Sequence, residues 1–147
     1  MTQQVSFYIL AEETPETRAL FACRLAEKAW RNGVHAHIHT AGEEDTKALD
    51  SLLWSFREDS FLPHKVVENN SEVQEPVTLG HSENQLKGRK GLLINLGDEI
   101  PNTLDSYSRI AEVVVQEESI LKLARTRFRQ YRGRGLDPQH QKVGRPS

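Results

Sequence analysis

VSFYILAEETPETRALFACRLAEKAWRNGVHAHIHT (residues 5–40) decides the fold. Its opening stretch, 5–11, is β-rich and nearly continuous in apolar side chains, the pattern of a strand buried on both faces. Thr14 and Pro15 then supply an N-cap and a first turn, and Leu20, Phe21, Leu25, Ala29 and Trp30 trace an apolar helical face that stops at Asn32-Gly33. VHAHIHT (34–40) reads as a second strand. GEEDT after it places acids at the positive end of a second amphipathic helix, carried by Leu49, Leu52, Leu53 and Phe56. Strand, helix, strand, helix predicts an α/β fold, a mostly parallel sheet with helices on both faces.

Working outward, residues 60–90 mix short β-like pieces, at 66–67 and 77–79, with polar, turn-rich segments expected to form exposed loops. GLLINLG (91–97) and RIAEVVVQ (109–116) read as further buried strands. Glu117-Glu118-Ser119 introduces a terminal basic amphipathic helix over about 117–132, with acids at its start and arginines toward its end. Residues 1–133 are therefore expected to form one α/β domain, and 134–147, rich in breakers and charge, a flexible basic tail. No apolar run approaches the roughly 20 residues that span a bilayer, and no signal-peptide pattern is present, so the chain is expected in the cytoplasm with no membrane partner. Cys23, in an apolar helical setting, reads as a small buried hydrophobe.

The net charge of −2 hides a division: residues 1–121 hold 11 Lys/Arg against 20 Asp/Glu, whereas 122–147 hold 8 Lys/Arg against Asp137 alone. Lys122, Arg125, Arg129 and Arg132 fall at helical i, i+3, i+4 spacings and form one basic stripe, which implies an acidic partner. Leu121 and Phe128 border it. Arg125 thus has an apolar neighbour on either side along the helix, a guanidinium fork beside a greasy shelf, which suits a carboxylate attached to an apolar side chain. The plainer alternative is an ordinary amphipathic helix with Ile120, Leu123, Ala124 and Tyr131 buried and its arginines solvated.

Other chemistry is poorly supported. A Rossmann-like sheet invites a nucleotide, yet AEETPETR, between the first strand and helix, is acidic and lacks glycine, so the phosphate-binding loop is missing. Gly88-Arg89-Lys90-Gly91 precedes a strand instead of opening a helix. His35, His37 and His39 alternate along one strand and share a face, a geometry that could ligate zinc or another divalent ion, weighed against polar side chains on a strand near the sheet's edge; no metal is expected. No nucleophile elbow and no paired acids on an acid/base motif occur, so neither catalytic residues nor cofactors are expected. Trp54 and Phe61, in LLWSFREDSFLPH, either cap the core, which the pattern slightly favours, or form an exposed aromatic anchor.

Taken in order, FYIL (7–10), KAWRNG, the LLW…SFLPH segment, GLLINL, RIAEVV and ILKLARTRFRQYR resemble the chi subunit family of bacterial DNA polymerase III holoenzyme, over about residues 5–134. The resemblance implies a single α/β domain without catalysis that joins the psi subunit of the clamp loader. It also implies binding to the acidic C-terminal tail of single-stranded DNA-binding protein, which ends in phenylalanine with a free carboxylate. On that resemblance Arg125 holds the carboxylate, Val114, Leu121 and Phe128 line a pocket for the ring, and Arg129 and Arg132 attract upstream aspartates. Trp54 and Phe61 match positions that face psi, and the same surface could serve a repair helicase. Two positions depart from the family pattern, which has a basic residue where this chain has Leu121 and a tyrosine where it has Phe128. The expected role is a replisome adaptor that meets DNA mainly indirectly. The alternatives are direct single-stranded nucleic-acid binding, with Phe128 and Tyr131 as stacking platforms, and a small-molecule-binding α/β domain.

Overall fold

The computed structural model describes residues 3–56, 61–68 and 74–143. In chain order they form β1 (Gln4–Ile9), α1 (Pro15–Arg31), β2 (Ala36–His39), α2 (Glu43–Ser55), β3 (His64–Val66), β4 (Val77–Gly80), α3 (Glu83–Leu86), β5 (Gly91–Asn95), β6 (Tyr107–Val114), α4 (Glu118–Gly133) and β7 (Gln139–Lys142). One sheet of seven strands results, in the order β3-β4-β2-β5-β6-β1-β7. Every pairing in it is parallel, as expected of strands joined by crossovers.

The two faces carry separate apolar cores. Tyr8, Ala36, Ile38, Leu79, Ile94, Ala111 and Val113 pack with α1 and α2, while Phe7, Leu93, Ile110 and Val114 pack with Leu86 of α3 and Tyr131 of α4. Thr14 caps α1, its hydroxyl accepting from the Thr17 backbone N–H at 3.4 Å, and Gly33 ends it with φ +73°. The buried face of α1 differs from the expected one. Its innermost residues are Ala22, Cys23, Ala26 and Ala29, whereas Leu20, Phe21, Leu25 and Trp30 are only partly buried. Small side chains let the helix approach the sheet closely, and the larger ones fill the flanks, Phe21 against the Tyr8 ring at 5.4 Å. Burial pushes the Cys23 thiol up to about 12, consistent with an inert hydrophobe.

Val77–Gly80 is a fully buried strand, in agreement with the β-like piece read at 77–79, and β3 pairs along its outer edge; residues 57–60 and 69–73 lie outside the described residues. Two further expectations need correction. β2 is interior, between β4 and β5, so the histidines do not stand near the sheet's edge. His37 is buried with its Nδ1 2.7 Å from the Thr78 hydroxyl. Among the described residues no three His, Cys, Asp or Glu side chains come together as a metal ion would require.

The second correction concerns the C-terminus. Within the expected tail, 139–142 form β7, with Ser6 opposite Gln139, Phe7 opposite His140, Tyr8 opposite Gln141 and Ile9 opposite Lys142; residues 144–147 lie outside the described part. Gln-His-Gln-Lys has no apolar alternation to announce a strand. It pairs because β1 would otherwise end the sheet with open backbone N–H and C=O groups, which any sequence can satisfy. Gly135, at φ +83°, makes the turn that sends the chain back from α4.

Candidate functional site

α4 is fixed to the sheet by a residue that the basic stripe did not include. Arg127, 5% exposed, points inward. Its Nη1 donates to Glu112 Oε1 at 2.8 Å, and its Nη2 donates to the Gly97 carbonyl. Glu112 Oε2 accepts from Asn95 Nδ2 at 2.8 Å and from the Tyr131 hydroxyl at 2.6 Å. Burial, followed by the Glu112 charge, pushes the Tyr131 hydroxyl far above its ordinary range, so it remains a donor. With Arg127 and Tyr131 held inside, the opposite side of α4 faces outward.

That side presents Lys122, Arg125, Arg129 and Arg132, all exposed. Lys122 pairs with Glu118 at 3.8 Å on the solvent surface. Among the described residues no carboxylate forms an ion pair with Arg125, Arg129 or Arg132. Where α4 meets the β7 side of the sheet lies a cleft of about 430 Å³, lined by Phe7 and Ile9 of β1, Val114 of β6, Leu121, Ala124, Arg125, Phe128 and Arg129 of α4, and His140 of β7. Its floor is apolar and its rim carries two guanidinium groups.

The structure therefore gathers Val114, Leu121, Arg125, Phe128 and Arg129 around one space. Arg132 lies outside the lining, its guanidinium carbon 5.1 Å from the centre of the Phe128 ring. Phe7, Ile9, Ala124 and His140 were missed by the sequence reading. Phe7 and Ile9 carry a usable signal, since they alternate on one face of β1, but only the strand order places that face under α4. His140 carries none. Leu123, which the plainer alternative placed inside, is 42% exposed, although it lies one helical turn before the buried Arg127 on the same side of α4.

The second candidate surface lies at the other end of the sheet. Trp54 is 66% and Phe61 83% exposed, so neither caps the core. Leu49 and Leu53, one helical turn apart, already supply the buried side of α2, and Trp54 is rotated away from it. Its ring rests 4.6 Å from that of His64 in β3. Trp54 and Phe61 thus flank β3, the edge strand opposite β7. Two large aromatic side chains are left in water here, the kind of exposed apolar feature that marks interaction surfaces.

These features define a class: a parallel α/β protein whose conspicuous surface elements are a basic-rimmed apolar cleft and a separate exposed aromatic pair. The sequence profile described as DNA polymerase III chi subunit, HolC, matches residues 1–139. The chain belongs to that family. DNA polymerase III subunit chi of Pseudomonas aeruginosa is 42% identical over 142 residues, covering 97% of this chain and 98% of the relative. The Haemophilus influenzae protein of the same name is 30% identical over 144 residues, covering 98% and 100%, and the Escherichia coli one 25% over 139 residues, covering 92% and 95%. Membership places the chain within the DNA polymerase III complex, in DNA replication. Among the described residues no helix is long and apolar enough to cross a membrane.

Proposed function

We propose that this chi-family chain is a non-catalytic adaptor of the clamp loader, holding the acidic C-terminal tail of single-stranded DNA-binding protein in the α4 cleft and the psi subunit on the Trp54 and Phe61 surface. The observation that carries the first half is the convergence of Arg125 and Arg129 on an apolar floor made by Val114, Leu121 and Phe128. A terminal phenylalanine ring fills the floor while its carboxylate takes a charge-assisted hydrogen bond from Arg125. Upstream aspartates meet Arg129 and Arg132, which contribute mainly to the rate of encounter and make it sensitive to salt. Leu121 extends the apolar wall where the family pattern has a cation. Phe128 keeps the ring there but offers no hydroxyl.

A titration of the full chain with a short acidic peptide ending in Phe-COO⁻ tests this reading. Amidating the terminus, or replacing Arg125→Ala, is expected to weaken binding by about 1.5–3 kcal/mol, the scale of a hydrogen bond to a charged group. Tight binding of a bare oligonucleotide with no response to the peptide would favour the alternative of direct single-strand recognition, which the excess of acids over residues 1–121 opposes. On the other surface, Trp54→Ala and Phe61→Ala are each expected to cost about 2 kcal/mol of psi affinity, as buried aromatic anchors do, with peptide affinity unchanged. Equal psi binding by wild type and both variants in a pull-down would remove that surface from the interface.

A further inference from the structure

We propose that His140 of β7 is a specificity-determining residue of the α4 cleft, selecting a C-terminal aromatic side chain over an aliphatic one. The proposal rests on the peptide-binding reading above and deepens it. Direct pairing of Phe7 with His140 puts both side chains on the same face of the sheet, beneath α4. The imidazole lies parallel to the Phe128 ring, with centroids 4.5 Å apart and planes at 11°, and it stands 6.2 Å from the Phe7 ring at 65°. Phe7 and Phe128 are themselves 5.4 Å apart at 54°.

Three rings thus form one continuous aromatic wall of a cleft whose remaining apolar lining is aliphatic: Ile9, Val114, Leu121 and Ala124. The aliphatic part accepts any apolar side chain according to its buried area. The aromatic wall adds ring-on-ring contact that only an aromatic ligand can use. His140 completes the wall, its ring stacked on that of Phe128. The C-terminal strand is therefore part of the recognition surface as well as the edge of the sheet.

The experiment compares two acidic peptides, identical except for a terminal Phe or Leu, by fluorescence anisotropy on the full chain and on two variants. His140→Leu keeps bulk and strand pairing but removes the ring; His140→Phe keeps the ring. His140→Leu is expected to weaken the Phe peptide about 3- to 10-fold, the scale of an aromatic pair, and to leave the Leu peptide within about 2-fold. His140→Phe is expected to match wild type on both. Unchanged affinities in His140→Leu, or equal losses for the two peptides, overturn the assignment while leaving the peptide site standing. Failure of wild type to bind either peptide sinks the peptide-binding reading itself, and this proposal with it.

Discussion

Replacing Arg127 by alanine is expected to destabilise the fold by about 3–5 kcal/mol, the range seen when one partner of a buried ion pair is removed. Glu112 would keep Asn95 and Tyr131 as donors, yet its charge would remain in the interior of a fully parallel sheet without the guanidinium that hydrogen-bonds to it, leaving Arg18 as the neighbouring charge. The Gly97 carbonyl would lose its donor as well. Arg125→Ala and Arg129→Ala, each two residues away on the exposed side, are expected to change stability by no more than about 0.5 kcal/mol. Urea denaturation of the three variants checks this. A loss below about 1 kcal/mol for Arg127→Ala would mean that the pair does not hold α4 to the sheet. The double replacement Arg127→Met with Glu112→Leu should recover only part of the loss, because it removes both charges together but leaves the buried Tyr131 hydroxyl without its acceptor.

Acidification is expected to destabilise the protein by about 3 kcal/mol between pH 7 and pH 4 through His37 alone. Burial between β4 and β5, with smaller contributions from Arg89 and His39, lowers its pKa from the ordinary 6.5 to about 3. In the unfolded chain the same imidazole takes up a proton as the pH falls through about 6.5. Only the unfolded state gains that proton over the interval, so the stability is fully present above pH 6.5 and is lost progressively toward pH 3. His39, lowered chiefly by burial, acts in the same direction. His37→Phe, which removes the titrating group and keeps a ring, should flatten the dependence of unfolding free energy on pH. Parallel pH profiles for wild type and variant would count against His37 as the source.

The two residues behind these predictions show where a sequence reading stops. Arg127 stands in an arginine-rich helix, and nothing in RTRFRQYR distinguishes the buried guanidinium from its exposed neighbours. What distinguishes it is Glu112, in the middle of the apolar run RIAEVVVQ. A carboxylate there could only be tolerated with a cation opposite, and that was the available signal. His37 was legible as one of three alternating histidines on a strand. That the strand is interior follows from chain connections that the local pattern does not encode.

The candidate site divides in the same way. Leu121, Arg125, Phe128 and Arg129 were legible because a helix places residues three and four apart on one face, whatever it packs against. Val114 came from family resemblance, and its place in the cleft depends on β6 running beside β1. Exposure of Trp54 and Phe61 ran against the hydrophobic pattern, which sees apolar character but not whether a core already has its complement of side chains.

By itself the sequence determined the α/β class, the positions of α1, α2 and α4, most of the strands and the basic stripe beside an apolar border. These depend on local periodicity, capping and the macrodipole, whose ranges are a few residues. Only the tertiary structure decided the strand order, the inward turn of Arg127, the cleft floor from Phe7 and Ile9, and the strand made from Gln139–Lys142. The reason is physical: hydrogen bonding along a sheet edge and burial of one charge against another are satisfied between segments far apart in the chain. A polar stretch such as Gln-His-Gln-Lys becomes a strand because of the edge it meets, not because of its own side chains.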